Sequence, residues 1–250
     1  MGIFSGPYAS LALAEARSQR YDDDRIVSRL VETRQAHLQW EGMLDPLHQQ
    51  LGAALLAGAL RGGSAGKPLR VCDFGGGLGA AYTILDAILG PSVELEWDVV
   101  ETPAMARAGN AQFAQKGLRF YESIDALGDR EHDVIIVSGV FQYLPEPVET
   151  FAQLARRPHH HMVVNRFPIR EGSEEVLEDA CLVQDMALIE SGMFLPHWGF
   201  SRQRWRAVFG ATHDTVYHWT DGFDGCHSLD DGSEMRFIGL LLARHPSSSP

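Results

Sequence analysis

Cysteine is scarce in this chain: Cys72, Cys181 and Cys226 are the only three in 250 residues. An odd count without metal-ligand spacing argues against a disulfide framework and for reduced thiols. Basic residues are short as well. Lys and Arg total 21 against 33 Asp and Glu, a formal net charge of −12. That balance disfavours nucleic acid and anionic membranes as partners, since each calls for a basic surface. Arg202, Arg204 and Arg206 make one local basic group. No hydrophobic run reaches the length of a membrane span, and Met1 to Ala14 lack the basic start and apolar core of a signal peptide. A cytoplasmic protein is expected. Apolar content of 45% and charged content of 22% are ordinary for a globular chain.

What the chain has in abundance, in one place, is glycine. Leu69 to Cys72 is a brief apolar run that reads as a buried strand, and Val71 to Gly79 spells VCDFGGGLG. Ala80 to Leu89 follows with apolar residues at helical spacing, closed by Gly90-Pro91. A strand, a glycine-packed turn and a helix make the first half of a βαβ nucleotide site. Glycines permit positive φ and close backbone approach, and the helix start offers free N–H groups. Gly75, Gly77 and Ala80 fit the loose G-x-G-x-x-G/A pattern, so a nicotinamide or flavin cofactor is one reading. Asp73 favours another. A carboxylate just before the glycines repels a pyrophosphate and suits a cationic group, such as the ammonium and sulfonium of S-adenosylmethionine.

The second half of the unit follows. Glu94 to Glu101 alternates, turns apolar and ends in an acid 22 residues beyond Gly79. A βαβ unit places a carboxylate there on the two ribose hydroxyls. Thr102-Pro103 then opens a helix that runs from Ala104 to Gln115. Leu118 to Glu122 reads as a third strand, and His132 to Gly139 as a fourth, leading into Val140 to Pro147. Ligands bind beyond the carboxyl ends of parallel strands, so Ser138, Gly139, Gln142 and Tyr143 are expected at the pocket. Packing is the competing role for Tyr143. Pro147 to Arg156 makes a helix. The triplet His159-His160-His161 precedes strand Met162 to Val164; neighbours on a strand face opposite ways, so no metal site is expected there. That strand ends in Asn165-Arg166-Phe167-Pro168. Arg166 could hold a substrate carboxylate or phosphate through its planar fork, or make a structural ion pair.

The rest is harder to read. Leu182 to Met186 looks extended, and Phe194 to Phe200, which includes His197 and Trp198, is an aromatic loop with substrate-binding candidates. Ser201 caps a helix through Phe209. Thr212 to Trp219 and Met235 to Ala243 pair as strands, completing a seven-stranded sheet with a reversed last strand. Before the nucleotide site, Tyr8 to Arg17, a segment capped by Asp22, Asp23 or Asp24 and reaching Leu38, and Pro46 to Leu60 read as helices. Residues 1–65 thus form a helical extension serving as lid, homodimer surface or packing, ended by Gly62-Gly63-Ser64. Residues 66–245 form the α/β domain, and 246–250 a frayed tail.

Several segments resemble an uncharacterised bacterial family of class I methyltransferases: Gly6 to Ser10, Tyr21-Asp22, Asp73 to Gly79, Val99 to Glu101, Ser138 to Leu144, Val183-Gln184 and Pro196 to Trp198. The resemblance implies a Rossmann-like α/β fold, S-adenosylmethionine as methyl donor and S-adenosylhomocysteine as product. It assigns Asp73, Gly75, Gly76, Gly77, Gly79, Glu101, Thr102, Ser138 and Gly139 to the donor, with Tyr121, Glu122 and Ser123 near the adenine. Phe120 or Tyr121 as simple core is the rival there. Family members carry an acid before the strand-end arginine, where this chain has Asn165. His197, His218 and Tyr143 are the candidate bases, with a structural role competing at His218. The expected function is O- or N-methylation of a small polar metabolite, such as a sugar or natural-product intermediate. A nicotinamide-dependent oxidoreductase and a non-catalytic scaffold on the same fold are the rivals.

Overall fold

A computed structural model of the chain describes residues 3–19, 24–36, 46–62, 67–90, 92–172, 177–187, 189 and 191–246. Asp22, Asp23, Leu38, Gly63, Ser64, Pro91 and the last four residues lie outside them. The chain opens with strand β1 (Phe4–Tyr8) and three helices, α1 (Leu11–Glu15), α2 (Asp24–Ala36) and α3 (Pro46–Gly62). Strands and helices then alternate: β2 (Leu69–Phe74), α4 (Ala80–Leu89), β3 (Leu95–Val100), α5 (Pro103–Gln112) and β4 (Leu118–Tyr121). Next come β5 (Val134–Ser138), α6 (Pro147–Arg156) and the long β6 (His161–Glu171). The last elements are β7 (Ala180–Asp185), β8 (Phe194–Ser201), α7 (Arg202–Gly210), β9 (His213–Thr220), β10 (Cys226–Ser228) and β11 (Glu234–Arg244).

Seven of these strands form the expected sheet, in the order β4-β3-β2-β5-β6-β11-β9. β2 to β6 pair in parallel, and β11 runs antiparallel to both β6 and β9. The reversed last strand is therefore present. The parallel strands are apolar on both faces because helices cover both. On one face Leu51 and Leu55 of α3, Tyr82 and Leu85 of α4 and Met105 of α5 pack against Val71, Val99, Ile136 and Val163. On the other, Phe151 and Leu154 of α6 and Trp205 and Phe209 of α7 meet Ile135, Val137, Met162 and Val164. Each fully buried large apolar side chain contributes about 1.5–3 kcal/mol relative to exposure. Ser201 caps α7 by accepting from the Arg204 N–H.

Two features depart from the sequence reading. Tyr8 ends a strand and does not begin a helix: β1 pairs antiparallel with β7, which pairs antiparallel with β8. The segment Phe194 to Phe200 is strand β8, not a loop, and joins β6 in parallel at Ile169 and Arg170. The two halves of β6 thus serve different partners. His161 to Asn165 pair with β5, and the far end carries β8. The hinge between them is Arg166, a non-glycine residue at φ 54, where the register with β11 also shifts. Such a bulge redirects side chains and bends the strand. Beyond it the buried series steps from Met162 and Val164 to Phe167 and Ile169 on the same face.

Candidate functional site

The glycine turn sits where β2 ends and α4 begins. Gly75, Gly77 and Gly79 have φ of 74, 58 and 74, a conformation costly for other residues. Gly79 is the N-cap of α4 and offers no side chain, so the helix start is uncapped from its own sequence. Asp73 is buried under this turn at 3% exposure, and its Oδ2 accepts from Trp97 Nε1 at 3.0 Å. Burial, with the charge of nearby Glu101 adding to it, pushes the carboxyl up to about 7 despite that hydrogen bond. Asp73 therefore supports the turn from beneath and does not itself line the cavity beside it.

Glu101, just past β3, bridges the two halves of the unit. Its Oε1 accepts from the Gly77 N–H at 3.1 Å and its Oε2 from the Thr102 N–H at 2.8 Å. Burial raises this carboxyl, and the two backbone donors oppose the rise. Each oxygen retains a lone pair for a further donor. Thr102 Oγ1 is buried without a partner among the described residues. Beside these groups lies a cavity of about 720 Å³ at the carboxyl ends of β2, β3 and β5. Phe74, Gly75, Val100, Glu101, Thr102, Glu122 and Ser123 line one part. Gly139, Val140, Tyr143, Leu144, Pro145, Leu195 and Pro196 line another, with Glu15, Ser18 and Gln19 contributed by α1 and the turn after it.

Of the residues singled out in the sequence, Gly75, Glu101, Thr102, Glu122, Ser123, Gly139 and Tyr143 line this cavity. Gly76, Gly77 and Gly79 belong to the turn beside it and are not among its lining residues. Ser138 and Tyr121 end their strands half-buried without lining it. Gln142 is buried and donates to the Arg166 carbonyl at 3.3 Å. Trp198 donates to the Leu144 carbonyl at 2.9 Å and so braces the wall instead of facing the cavity.

The candidate bases fare differently from expectation. His197 has 0% exposure and is ringed by Phe4, Tyr143 and Phe237, with both ring nitrogens unpartnered. Burial, reinforced by His227 nearby, pushes it down to about 3, so it stays neutral inside an aromatic cage. His218 is exposed on edge strand β9, opposite Leu240, and outside the cavity lining. Tyr143 presents its ring to the cavity while its hydroxyl donates to Gln184 Oε1 at 2.7 Å. Burial pushes that hydroxyl up to about 12, which leaves it a donor and not a base at neutral pH. Arg166 makes the structural ion pair: Nε and one terminal nitrogen reach Asp224 at 2.6 and 3.0 Å, and the guanidinium lies 5.0 Å from the Phe223 ring centre. Burial opposes the charge, but Asp224 holds the guanidinium above its ordinary value.

The sequence reading missed Glu15, Ser18 and Gln19. No local pattern marks them, because they reach the cavity only through the docking of β1 on β7. The Gln19 N–H donates to the Phe194 carbonyl at 2.8 Å, and the Phe194 N–H returns to Gln19 Oε1 at 2.7 Å.

No protein-family model matches the chain, and no curated protein sequence matches it. Solved structures do match in shape. A putative sarcosine dimethylglycine methyltransferase from Galdieria sulphuraria aligns with TM-score 0.54 and 13% identity, over 90% of this chain and 98% of that one. The N-terminal domain of EvdMO1 with SAH bound aligns with TM-score 0.51 and 11% identity, over 92% of this chain and 99% of its own. LepI in complex with SAM aligns with TM-score 0.51 and 9% identity, over 76% of this chain and 46% of its own. The chain has the Rossmann-like fold of class I methyltransferases. Among the described residues, no helix is long and apolar enough to cross a membrane.

Proposed function

We propose that this chain is a methyltransferase that takes S-adenosylmethionine as donor and methylates O or N of a small molecule. One observation carries the reading: the Glu101 carboxylate, tied to the Gly77 and Thr102 N–H groups, faces a 720 Å³ cavity at the carboxyl ends of β2, β3 and β5. The residues fit the donor. Glu101 has acceptor capacity for two ribose hydroxyls, and the orphaned Thr102 Oγ1 lacks a partner that a ligand would give it. The position of a Gly77 Cβ has nothing within 4 Å, so backbone is open to close approach there. In this reading Glu122 and Ser123 take the base of the nucleoside, and Gly139, Val140 and Tyr143, which line the other part of the cavity, take the methionine end. When bound, the donor supplies an electrophilic methyl group on a sulfonium.

The chain's own task is then to align an acceptor and exclude water. Leu144, Pro145, Leu195 and Pro196 make the remaining wall largely apolar. This favours an acceptor with an apolar portion over a bare sugar. Two of the three reported fold neighbours hold SAH or SAM, which supports the donor by analogy of fold.

A second reading, donor binding without methyl transfer, draws on the same cavity. It is favoured by the burial of His197 and the exposure of His218, which remove both histidines as bases. The discriminating experiment is calorimetric titration with S-adenosylhomocysteine and, in parallel, NADH. Glu101→Gln is the better variant than one at Asp73, since Glu101 lines the cavity whereas Asp73 is packed beneath Gly76, where a substitution also disturbs the turn. Micromolar binding of S-adenosylhomocysteine that weakens about tenfold or more in Glu101→Gln supports the donor site. NADH binding in its place would overturn the reading. Donor binding with no methylated product across an acceptor screen would favour the second one.

A further inference from the structure

Among the described residues that line it, the cavity carries negative charge without a matching cation. Among its described lining residues, Glu15, Glu101 and Glu122 are acidic and none is Lys or Arg. Two of the three are engaged. Glu101 holds the Gly77 and Thr102 N–H groups, and Glu122 lies 3.5 Å from the Arg107 guanidinium. Glu15 is different: no ion pair or hydrogen bond engages its carboxylate among the described residues.

Arg17 and Arg166, each beside described residues of this wall, are engaged elsewhere. Arg17 lies over the Tyr8 ring at 5.2 Å and donates to the Leu13 carbonyl. Arg166, behind Gly139, is held by both oxygens of Asp224. Glu15 is also well placed by its surroundings. Ser10 caps α1 by accepting from the Leu13 N–H, and Ala14, at 0% exposure, packs against Cys181 and Val183 of β7. Four residues on, the reciprocal Gln19–Phe194 hydrogen bonds fix the chain to the start of β8. The carboxylate therefore stands on a fixed element, at a cavity whose other walls include Leu144, Leu195 and Pro196.

We infer that the acceptor is an amine with an apolar body, recognised as its ammonium by Glu15. This rests on the methyltransferase reading above and names its substrate class. A carboxylated or phosphorylated acceptor would meet only like charge among the described residues of this wall. An alkylammonium gains a charge-assisted hydrogen bond from Glu15 and apolar contact from Leu195 and Pro196. Glu15 is thus a specificity residue, set by the N-terminal segment and not by the nucleotide-binding half of the fold.

The test uses the full chain saturated with S-adenosylhomocysteine. Binding of phenethylamine, phenethyl alcohol and phenylacetate, alike in body and different in charge, is measured by calorimetry at neutral pH. The amine is expected to bind about tenfold or more tighter than either of the others, the scale of one hydrogen bond to a charged group. That preference is expected to vanish in Glu15→Gln, while affinity for S-adenosylhomocysteine stays the same. Equal binding of the three probes, preference for the acid, no amine binding to the loaded protein, or a preference that survives Glu15→Gln would each overturn the inference. Failure of S-adenosylhomocysteine itself to bind would bring down the methyltransferase reading as well, so the two failures are told apart.

Discussion

Asp73 lies directly beneath Gly76: a Cβ built on that glycine would stand 2.3 Å from Asp73 Oδ2. The third glycine of the run is therefore unlike the second. At Gly77 the Cβ position has nothing within 4 Å, but φ is 58.

Substitution separates these two demands. Gly76→Ala drives a methyl group into a carboxylate that Trp97 Nε1 already holds at 3.0 Å, so the carboxylate has little room to retreat. Overpacking of this kind costs about 1–3 kcal/mol, and denaturant unfolding should register it. Gly77→Ala costs about 1–2 kcal/mol through backbone conformation alone. Its methyl group, however, stands in open space on the turn beside Glu101, where the proposed donor would approach. Calorimetry with S-adenosylhomocysteine should therefore show Gly77→Ala losing affinity out of proportion to its loss of stability. Unchanged affinity in that variant would put the ligand elsewhere.

The raised Asp73 carboxyl gives a pH signature of stability. In the folded chain it ionises near 7, whereas an unfolded Asp ionises near 3.8. Between those values the folded state holds the extra proton, so this group's contribution to stability falls as pH rises and levels off above about 7. Asp73→Asn keeps an oxygen for Trp97 Nε1 and removes the ionisation. It is expected to match the parent near pH 4 and to gain on it steadily as pH approaches 7. Urea unfolding at a series of pH values reads the difference. A constant offset across the series would mean that the carboxyl is not strained by burial.

These relationships explain what was and was not legible in the sequence. Asp73 to Gly79 and the acid at Glu101 were legible because a βαβ unit forces strand, turn, helix and strand-end acid into consecutive positions. The reversed last strand was legible as two apolar runs around a Gly- and Asp-rich connection. β1 was not. Its partner, β7, lies more than 170 residues away, and Gly6-Pro7 looks like a turn. β8 was hidden in the same way, with Pro196 and Gly199 breaking a strand pattern that its burial nonetheless follows, Leu195 and His197 inward. His197 read as a chemical group because an aromatic neighbourhood suits both a cage and a pocket. Glu15 carried no signal at all, since it comes to the cavity only when the N-terminal segment docks on β7.

Arg166 and Asp224 join the bulge of β6 to the loop after β9. The two contacts, at 2.6 and 3.0 Å, use the planar fork, which lysine lacks. Arg166→Lys should therefore lose most of what Arg166→Ala loses, about 1.5–3 kcal/mol for a hydrogen bond to a charged group. A double-mutant cycle with Asp224→Asn measures the coupling. Near-zero coupling, or full rescue by lysine, would show that Arg166 is retained for some purpose other than this pair.

The His159–His213 contact sets the response to acid. The two Nε2 atoms are 2.8 Å apart, His159 Nδ1 lies 2.7 Å from the Arg157 carbonyl, and His213 Nδ1 lies 2.8 Å from Thr212 Oγ1. One assignment satisfies every atom with both rings neutral. His159 Nδ1–H donates to the Arg157 carbonyl, His213 Nε2–H donates to His159 Nε2, and the Thr212 hydroxyl donates to His213 Nδ1. A proton added to either ring leaves two N–H groups facing each other, or displaces the hydroxyl. Burial already pushes His159 down to about 4 and His213 down to about 3, each from 6.5. The sign follows: the unfolded state takes up these protons first, so stability is intact above pH 6.5 and drains away as pH falls toward 4 and then 3. His213→Gln should lower stability at neutral pH, because His159 Nε2 loses its donor geometry, but its decline with acid should be shallower than the parent's. Urea midpoints measured across that range decide the matter: parallel slopes for parent and variant would assign acid sensitivity to other groups, such as buried His197 and His161.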